Sequence, residues 1–180
     1  MRGKTAALLG LVGLLLSGCI FFSDEPALKR SDTFPGVGKW SCQDFSGAKR
    51  TLEIKRDGSG YRVDGDPAWF KALEKGFYLS HEANRFTSSQ IYTKPTEEIP
   101  GKRYTYAWVE LEGNRLFLYP ASMDGLAAAP SKALRAGVQL EAPSEDTPMY
   151  AVKGKPDQVL RFLTSFRKSE LMVIMACTKG

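Results

Sequence analysis

Arg103-Tyr104-Thr105-Tyr106-Ala107-Trp108-Val109-Glu110-Leu111-Glu112-Gly113-Asn114-Arg115-Leu116-Phe117-Leu118-Tyr119 decides how this chain folds. Gly and Asn tolerate the positive φ that a two-residue hairpin demands, so Gly113-Asn114 predicts a turn between two strands. That turn sets Leu111 against Leu116 and Val109 against Leu118. Side chains alternate along a strand, so Ala107, Val109, Leu111, Leu116 and Leu118 share one face. The other face carries Tyr104, Tyr106, Trp108, Phe117 and Tyr119, with Glu110 and Arg115 toward the turn. A ribbon that is apolar on both faces is either covered twice or lines a pocket. Tyr and Trp favour sites with an apolar side and a polar partner. These five aromatics are therefore the candidate ligand- or partner-binding residues. The competing reading is a second core face, beneath residues 121–149 or inside a sandwich.

Further hairpins flank this one. Residues 38–42 open a strand, and residues 51–55 alternate with Leu52 and Ile54 inward. Asp57-Gly58-Ser59-Gly60 is a turn cluster, and Tyr61 and Val63 return on one face. Residues 77–82 and 85–92 read as a second hairpin, whose turn Glu82-Ala83-Asn84-Arg85 matches Glu112-Gly113-Asn114-Arg115 in pattern. Residues 67–75 are ambiguous, with Trp69, Phe70 and Leu73 at helical spacing. The stretch 121–149 is rich in Ala, Pro, Ser and Gly; it predicts a short helical turn at 132–135 and a short strand at 138–140.

Residues 156–168 predict a helix. Pro156 suits its first position and Asp157 its N-terminal dipole. Val159, Leu160, Leu163 and Phe166 make an apolar stripe, with Phe162 beside it. Residues 171–177 run apolar without alternation, which predicts a buried central strand. The expected class is mostly β (α+β): an antiparallel sheet or small barrel of hairpins, one C-terminal helix and a final buried strand.

The N-terminus has the three parts of an export signal. Arg2 and Lys4 are basic, residues 6–16 are apolar apart from Gly10 and Gly13, and Ser17 and Gly18 are small. The apolar run is shorter than the roughly 20 residues that span a bilayer. Leu16-Ser17-Gly18-Cys19 resembles the lipobox of bacterial lipoproteins, over residues 1–19 only. The resemblance implies a signal peptide over 1–18, a diacylglyceryl group on the Cys19 thiol and fatty-acyl (palmitate) modification of the freed amine. Two or more acyl chains anchor a protein stably. In that class Ile20, in place of Asp, implies the outer membrane, with the domain facing the periplasm. Residues 19–35 are then expected as the lipidated Cys and a tether. Phe21 and Phe22 would sit in the lipid interface and residues 23–35 would span about 20 Å if flexible. A single domain would occupy 36–180.

Removing residues 1–18 leaves 162 of the 180 residues, enough for one domain with a real core. The leader holds two of the 25 basic residues, so the remainder carries 23 basic and 20 acidic residues. No Lys/Arg block of the kind that binds nucleic acid is present. With Cys19 committed to lipid, Cys42 and Cys177 remain, and export places them where disulfides form. A bond between them would close a loop of about 135 residues, worth roughly 5 kcal/mol in the chain-entropy model. The alternative is two buried thiols on separate strands.

The chemistry-bearing residues are sparse. His81 is the single histidine, placed one residue before a hairpin turn, and no Gly-x-Ser-x-Gly elbow accompanies any serine. One His and two distant Cys lack metal-ligand spacing, and Gly58 and Gly60 read as turn glycines. No cofactor is expected. Glu110 and Glu112 share a strand face, and Glu97 and Glu98 lie in a loop. Paired carboxylates serve glycoside hydrolysis, but solvated charge is the reading adopted here. The expected function is a non-enzymatic binding or interaction module of the cell envelope, with an envelope protein or the cell wall as partner. The alternative is a carrier of a small apolar ligand. Gly38-Lys39-Trp40 resembles the Gly-x-Trp at the start of lipocalins, and that tripeptide is the extent of the match.

Overall fold

A computed structural model describes residues 21–28, 33–58, 60–65, 73–80, 87–93, 103–144 and 149–180. The expected signal peptide, Cys19, His81, the 82–85 turn, Glu97, Glu98 and residues 67–72 of the ambiguous stretch 67–75 lie outside the described residues. The chain is mostly β, as expected. Its strands are β1 (Phe21–Ser23), β2 (Gly38–Asp44), β3 (Lys49–Asp57), β4 (Gly60–Gly65), β5 (Leu73–Ser80) and β6 (Thr87–Thr93). There follow β7 (Arg103–Glu112), β8 (Arg115–Tyr119), β9 (Gln139–Glu141), β10 (Tyr150–Lys153) and β11 (Met175–Lys179). Two helices, α1 (Met123–Ala136) and α2 (Pro156–Thr164), complete the described elements with a short 3-10 turn at Lys168–Glu170.

The third hairpin folds in the expected register. Leu111 lies opposite Leu116, Val109 opposite Leu118 and Glu112 opposite Arg115. The first hairpin also holds, with Ile54 opposite Val63 and Arg56 opposite Tyr61. Gly58 turns the chain between them at φ +56, a left-handed conformation that suits glycine. Followed from β7 through β8, β11, β2, β3, β4 and β5 to β6, the pairings return to β7. Four or more register pairs join each neighbour on this path. The exception is β4–β5, where Tyr61 opposite Phe77 is the one pair among the described residues. The sheet curls into a barrel-like arc without being laddered shut.

Strand β7 also carries a branch. Along one edge it bonds β6; along the other its Trp108–Glu112 half bonds β8 and its Tyr104–Tyr106 half bonds β1. Strand β1 pairs in parallel with β10, which pairs with β9. The tether expected over 19–35 is therefore corrected wherever the chain is described. Phe21 is fully buried, Phe22, Leu28 and Phe34 nearly so, and neither Phe21 nor Phe22 is free to enter a lipid interface. Polar bonds stitch the segment down. The Tyr106 hydroxyl lies 2.5 Å from Ser23 Oγ and accepts the Ala27 amide at 3.1 Å. The Tyr61 hydroxyl accepts the Phe34 amide at 2.7 Å, and Trp40 Nε1 donates to the Gly36 carbonyl at 2.8 Å. Polar composition suggested a linker, but each aromatic in it is an apolar surface that burial stabilises by a few kcal/mol.

Two cores result. Inside the curled sheet Trp40, Leu52, Ile54, Tyr61, Leu116 and Met175 pack together with the Cys42–Cys177 disulfide. These cysteines lie directly opposite each other on β2 and β11. The sequence alternative of two separate thiols is thereby settled in favour of the bond. On the outer side of β7, Phe21, Trp108, Ala129, Phe162, Leu163 and Phe166 form the second core.

The helices that cover this second core differ from expectation. Helix α1 runs fourteen residues where only a turn at 132–135 was expected. Ser122 Oγ caps it by accepting the Gly125 amide, and Gly137 ends it at φ +75. Pro130 removes one backbone donor, yet the alanines on either side favour helix and let it lie close. Gly125 is required by that closeness, since a Cβ there would stand 2.2 Å from the Glu170 carbonyl oxygen. Helix α2 begins at Pro156 as expected but ends at Thr164, with Val159, Phe162 and Leu163 buried. The last strand starts at Met175 rather than 171, and it is central, between β2 and β8. Met172 and Val173 lie before it and are partly exposed, contrary to the reading that both faces were buried.

Two stability predictions follow from this packing. Phe21→Ala lowers the unfolding free energy by about 3–5 kcal/mol, as measured by urea titration, whereas a tether residue changes it negligibly. Replacing both Cys42 and Cys177 by Ala lowers stability by up to about 5 kcal/mol; dithiothreitol then shifts the unfolding midpoint of the wild type and not that of the double variant.

Candidate functional site

The five aromatics of the β7–β8 hairpin do converge on one face, but helices cover that face. Tyr106, Trp108 and Tyr119 are buried, and Tyr104 and Phe117 are partly buried against the same core. Phe21 from β1 meets Trp108 edge-on at 6.3 Å between ring centroids, and Phe166 approaches Trp108 at 5.0 Å. Trp108 Nε1 donates to the Leu163 carbonyl at 3.0 Å. Burial pushes the Tyr106 hydroxyl up to about 12, against the lowering effect of its bonds with Ser23 and Ala27. As folded, the face is the second core face beneath 121–149 that the sequence held as its alternative. It is filled by protein side chains rather than left as an open lining.

Glu110 occupies the rim of this core and corrects the reading of it as solvated charge. The residue is 6% exposed. Its Oε2 accepts from the Tyr119 hydroxyl at 2.6 Å and from Lys168 Nζ at 2.6 Å. Lys168 also reaches Glu112 at 3.4 Å. Burial is the largest single influence on the Glu110 carboxyl and pushes it up. The bonds from Lys168 and Tyr119 together outweigh burial and hold it below its usual 4.5. Burial first, and then donation to Glu110, push the Tyr119 hydroxyl up to about 12. The Lys168 ammonium is held above its usual range chiefly by its bond to Glu110. A general acid needs a carboxyl pKa raised toward neutrality; this cluster does the opposite and locks an ionised Glu between two donors.

A second internal ion pair braces the helices. Lys132 of α1 is 4% exposed, donates to the Ser165 carbonyl at 2.6 Å and meets the Glu170 carboxylate at 2.9 Å. Its ammonium also stands 4.9 Å from the centre of the Phe166 ring.

Among the described residues, a concave surface lies elsewhere, on the outward side of β3, β2, β11 and β8. A shallow open groove of about 640 Å³ is lined there by Ser41, Gln43, Lys49, Thr51, Arg115 and Thr178, among others. Register explains the lining. Thr51 lies opposite Ser41, Ser41 opposite Thr178, and Thr178 opposite Arg115, so four strands present one row of three hydroxyls ending in a guanidinium. Neighbouring strands stand about 4.8 Å apart, so the row extends roughly 14 Å. The adjacent row brings Lys49, Gln43, Ala176 and Phe117 together. Arg50 reaches Asp44 at 3.2 Å. The Arg115 guanidinium lies 4.8 Å over the Phe117 ring. The hydroxyls and cations suit a polar ligand with carboxylate or similar anionic groups. Sequence reasoning passed over these residues because each is a lone polar position on a different strand. The signal was the outward phase of 41, 43, 49, 51 and 178, which alternation alone exposes.

The Glu110 cluster predicts a pH signature. Glu110→Gln destabilises the protein by about 1.5–3 kcal/mol near neutrality, the worth of hydrogen bonds to a charged group. A carboxylate held below its usual value contributes fully above about pH 4.5, and that contribution is lost as pH falls through the folded value. Urea unfolding as a function of pH therefore shows the gap between variant and wild type closing on the acid side. Compared with protein-family models, curated proteins and solved structures, the chain matches none of them.

Proposed function

We propose that the chain is a lipoprotein of the bacterial envelope, anchored through Cys19 to the outer membrane and facing the periplasm. Its β domain is a non-enzymatic binding module whose working face is the groove across β3, β2, β11 and β8. Two features support the address: the lipobox-like Leu16-Ser17-Gly18-Cys19, and a Cys42–Cys177 disulfide that suits an oxidising compartment. The observation that carries the binding reading is the row Thr51–Ser41–Thr178–Arg115, flanked by Lys49, on an open surface. Such a row offers repeated hydrogen bonds and positive charge to an extended, carboxylate-bearing polymer. Within an envelope, the cell wall has that chemistry.

The test uses the full chain exported in a bacterial host. Labelled palmitate is incorporated by the wild type and not by Cys19→Ala. The unlipidated Cys19→Ala protein still co-sediments with purified cell-wall sacculi. Adding Lys49→Glu and Arg115→Glu weakens that co-sedimentation by about tenfold or more, equivalent to at least 1.4 kcal/mol, and raised salt weakens the unaltered groove in the same direction. Equal binding with and without the two charge reversals rejects the groove as the binding face.

A further inference from the structure

Helix α1 buries one face and holds a second apolar stripe in water. Gly125, Ala129, Lys132, Ala133 and Ala136 are buried against the protein. Met123, Ala127, Pro130 and Leu134 are exposed on the other side. Their spacing of four, three and four residues is that of one helix face, and at about 100° per residue they fall within about 60° of one another. Met123 is 71% exposed and Leu134 82%, the two highest values among the exposed large apolar side chains described. Scattered apolar residues are ordinary on a surface. A stripe that runs about 16 Å along one helix is a surface for contact.

The stripe is complementary to itself. A two-fold pairing sets residue i against j and j against i. Met123 and Leu134 stand symmetrically about the point midway between Ala128 and Ala129, and so do Ala127 and Pro130. An antiparallel copy of α1 centred there sets Met123 on Leu134 of the second copy at both ends, and Ala127 on its Pro130 in the middle. The short central residues let the axes approach, and the long terminal ones fill the space on either side. Charge agrees with this arrangement. Asp124 and Arg135 flank the stripe on one side, exposed, and neither has an ion-pair partner among the described residues. Like flanks meet in an antiparallel helix pair, so Asp124 of each copy lies within about 3 Å, along the axis, of Arg135 of the other. Each also suits the dipole at its own end of α1, so an antiparallel copy meets opposite charge where a parallel one meets its own.

We propose that two copies of this chain associate through α1, antiparallel about a two-fold axis between Ala128 and Ala129. Met123 and Leu134 supply the apolar contact. The two Asp124–Arg135 pairs set direction and register, since exposed ion pairs add little affinity and much selectivity. One helix from each copy buries less than the roughly 1,600 Å² of a standard interface, so the dimer is weak, with dissociation in the micromolar range. The surface is separate from the groove, and the pairing does not depend on the envelope address.

The experiment is sedimentation equilibrium of the full chain, purified from a bacterial host with its disulfide intact, in a nonionic detergent matched to the solvent density. The protein's own mass is then read whether or not lipid is attached. The wild type is expected to pass from monomer to dimer as its concentration rises. Leu134→Glu weakens association by about tenfold or more; its site is exposed, and circular dichroism checks that the fold is kept. Asp124→Lys and Arg135→Glu each weaken it severalfold, because each homodimer then holds two like-charge pairs. An equal mixture of those two variants regains the wild-type association, since both pairs across the mixed dimer are again of opposite sign. Misfolded variants cannot produce that rescue. Wild type that stays monomeric into the high micromolar range overturns the proposal and leaves the stripe to a different protein. A dimer indifferent to Leu134→Glu overturns it equally by placing the interface elsewhere. A mixture no stronger than either variant alone rejects the antiparallel arrangement.

Discussion

The architecture depends on one strand that cannot present either face to water. Strand β7 alternates Tyr104, Tyr106, Trp108 and Glu110 with Thr105, Ala107, Val109 and Leu111, and residues 105–110 are all buried. Covering such a strand takes two separate layers. One face closes into the curled sheet with Leu116, Ile54 and Met175; the other takes α1, α2 and β1. The helices are therefore roofing for the aromatic face, and α1 can lie close because Gly125, Ala129 and Ala133 are small where it meets the protein.

A roof that tight brings polar atoms out of water, and an unpaired buried polar group costs about 1–3 kcal/mol. Each one described here has a partner suited to its chemistry. Tyr106 and Trp108 hand their polar tips to Ser23, Ala27 and Leu163. Glu110 is neutralised by Lys168, and Lys132 by Glu170. Residues 165–170 supply a partner to both ion pairs, so the chain after α2 is fastened at Ser165, Lys168 and Glu170. The Lys132–Glu170 pair is largely buried and Lys168 is half exposed, and neither kind of ion pair adds much net stability compared with apolar packing. What these two add is position: they hold the 165–170 loop against α1 on one side and the rim of β7 on the other.

Local pattern made the hairpins legible. The Gly113-Asn114 turn and the alternation around it give the β7–β8 register residue by residue, and Leu52, Ile54, Tyr61 and Val63 do the same for β3–β4. The disulfide was legible by count once Cys19 was set aside. What stayed hidden depended on partners distant in sequence. Ala-rich 123–136 carries Pro130, which reads as a breaker, while its caps Ser122 and Gly137 are ordinary residues until the helix exists to need them. Phe21 and Phe22 stand among polar residues typical of linkers, and only the vacancy on β7 beyond β8 makes them a strand. Alternation showed which faces of β7 and β8 carry the aromatics, but the occupants of that side, Phe21 far upstream and Leu163 and Phe166 far downstream, are distant in sequence. Alternation marks 41, 43, 49, 51 and 178 as outward, but only the register across four strands sets them in one groove.

The β1–β10–β9 branch solves a problem that the hairpin itself creates. Strand β8 has five residues against the ten of β7, so the first half of β7 would keep an open edge after Tyr119. An open edge of buried, apolar strand is a template for pairing with another chain. Strand β1 takes that edge with three residues, and β10 takes the edge of β1 in parallel. Strand β9 ends the series at three residues, its side chains exposed or half-exposed, with Glu141 paired to Lys153 at 2.7 Å. The edge is thus moved step by step from an apolar strand to a short charged one. The residues beside Cys19 are spent on closing it, and this use of Phe21 and Phe22 leaves no length for a tether between them and the domain.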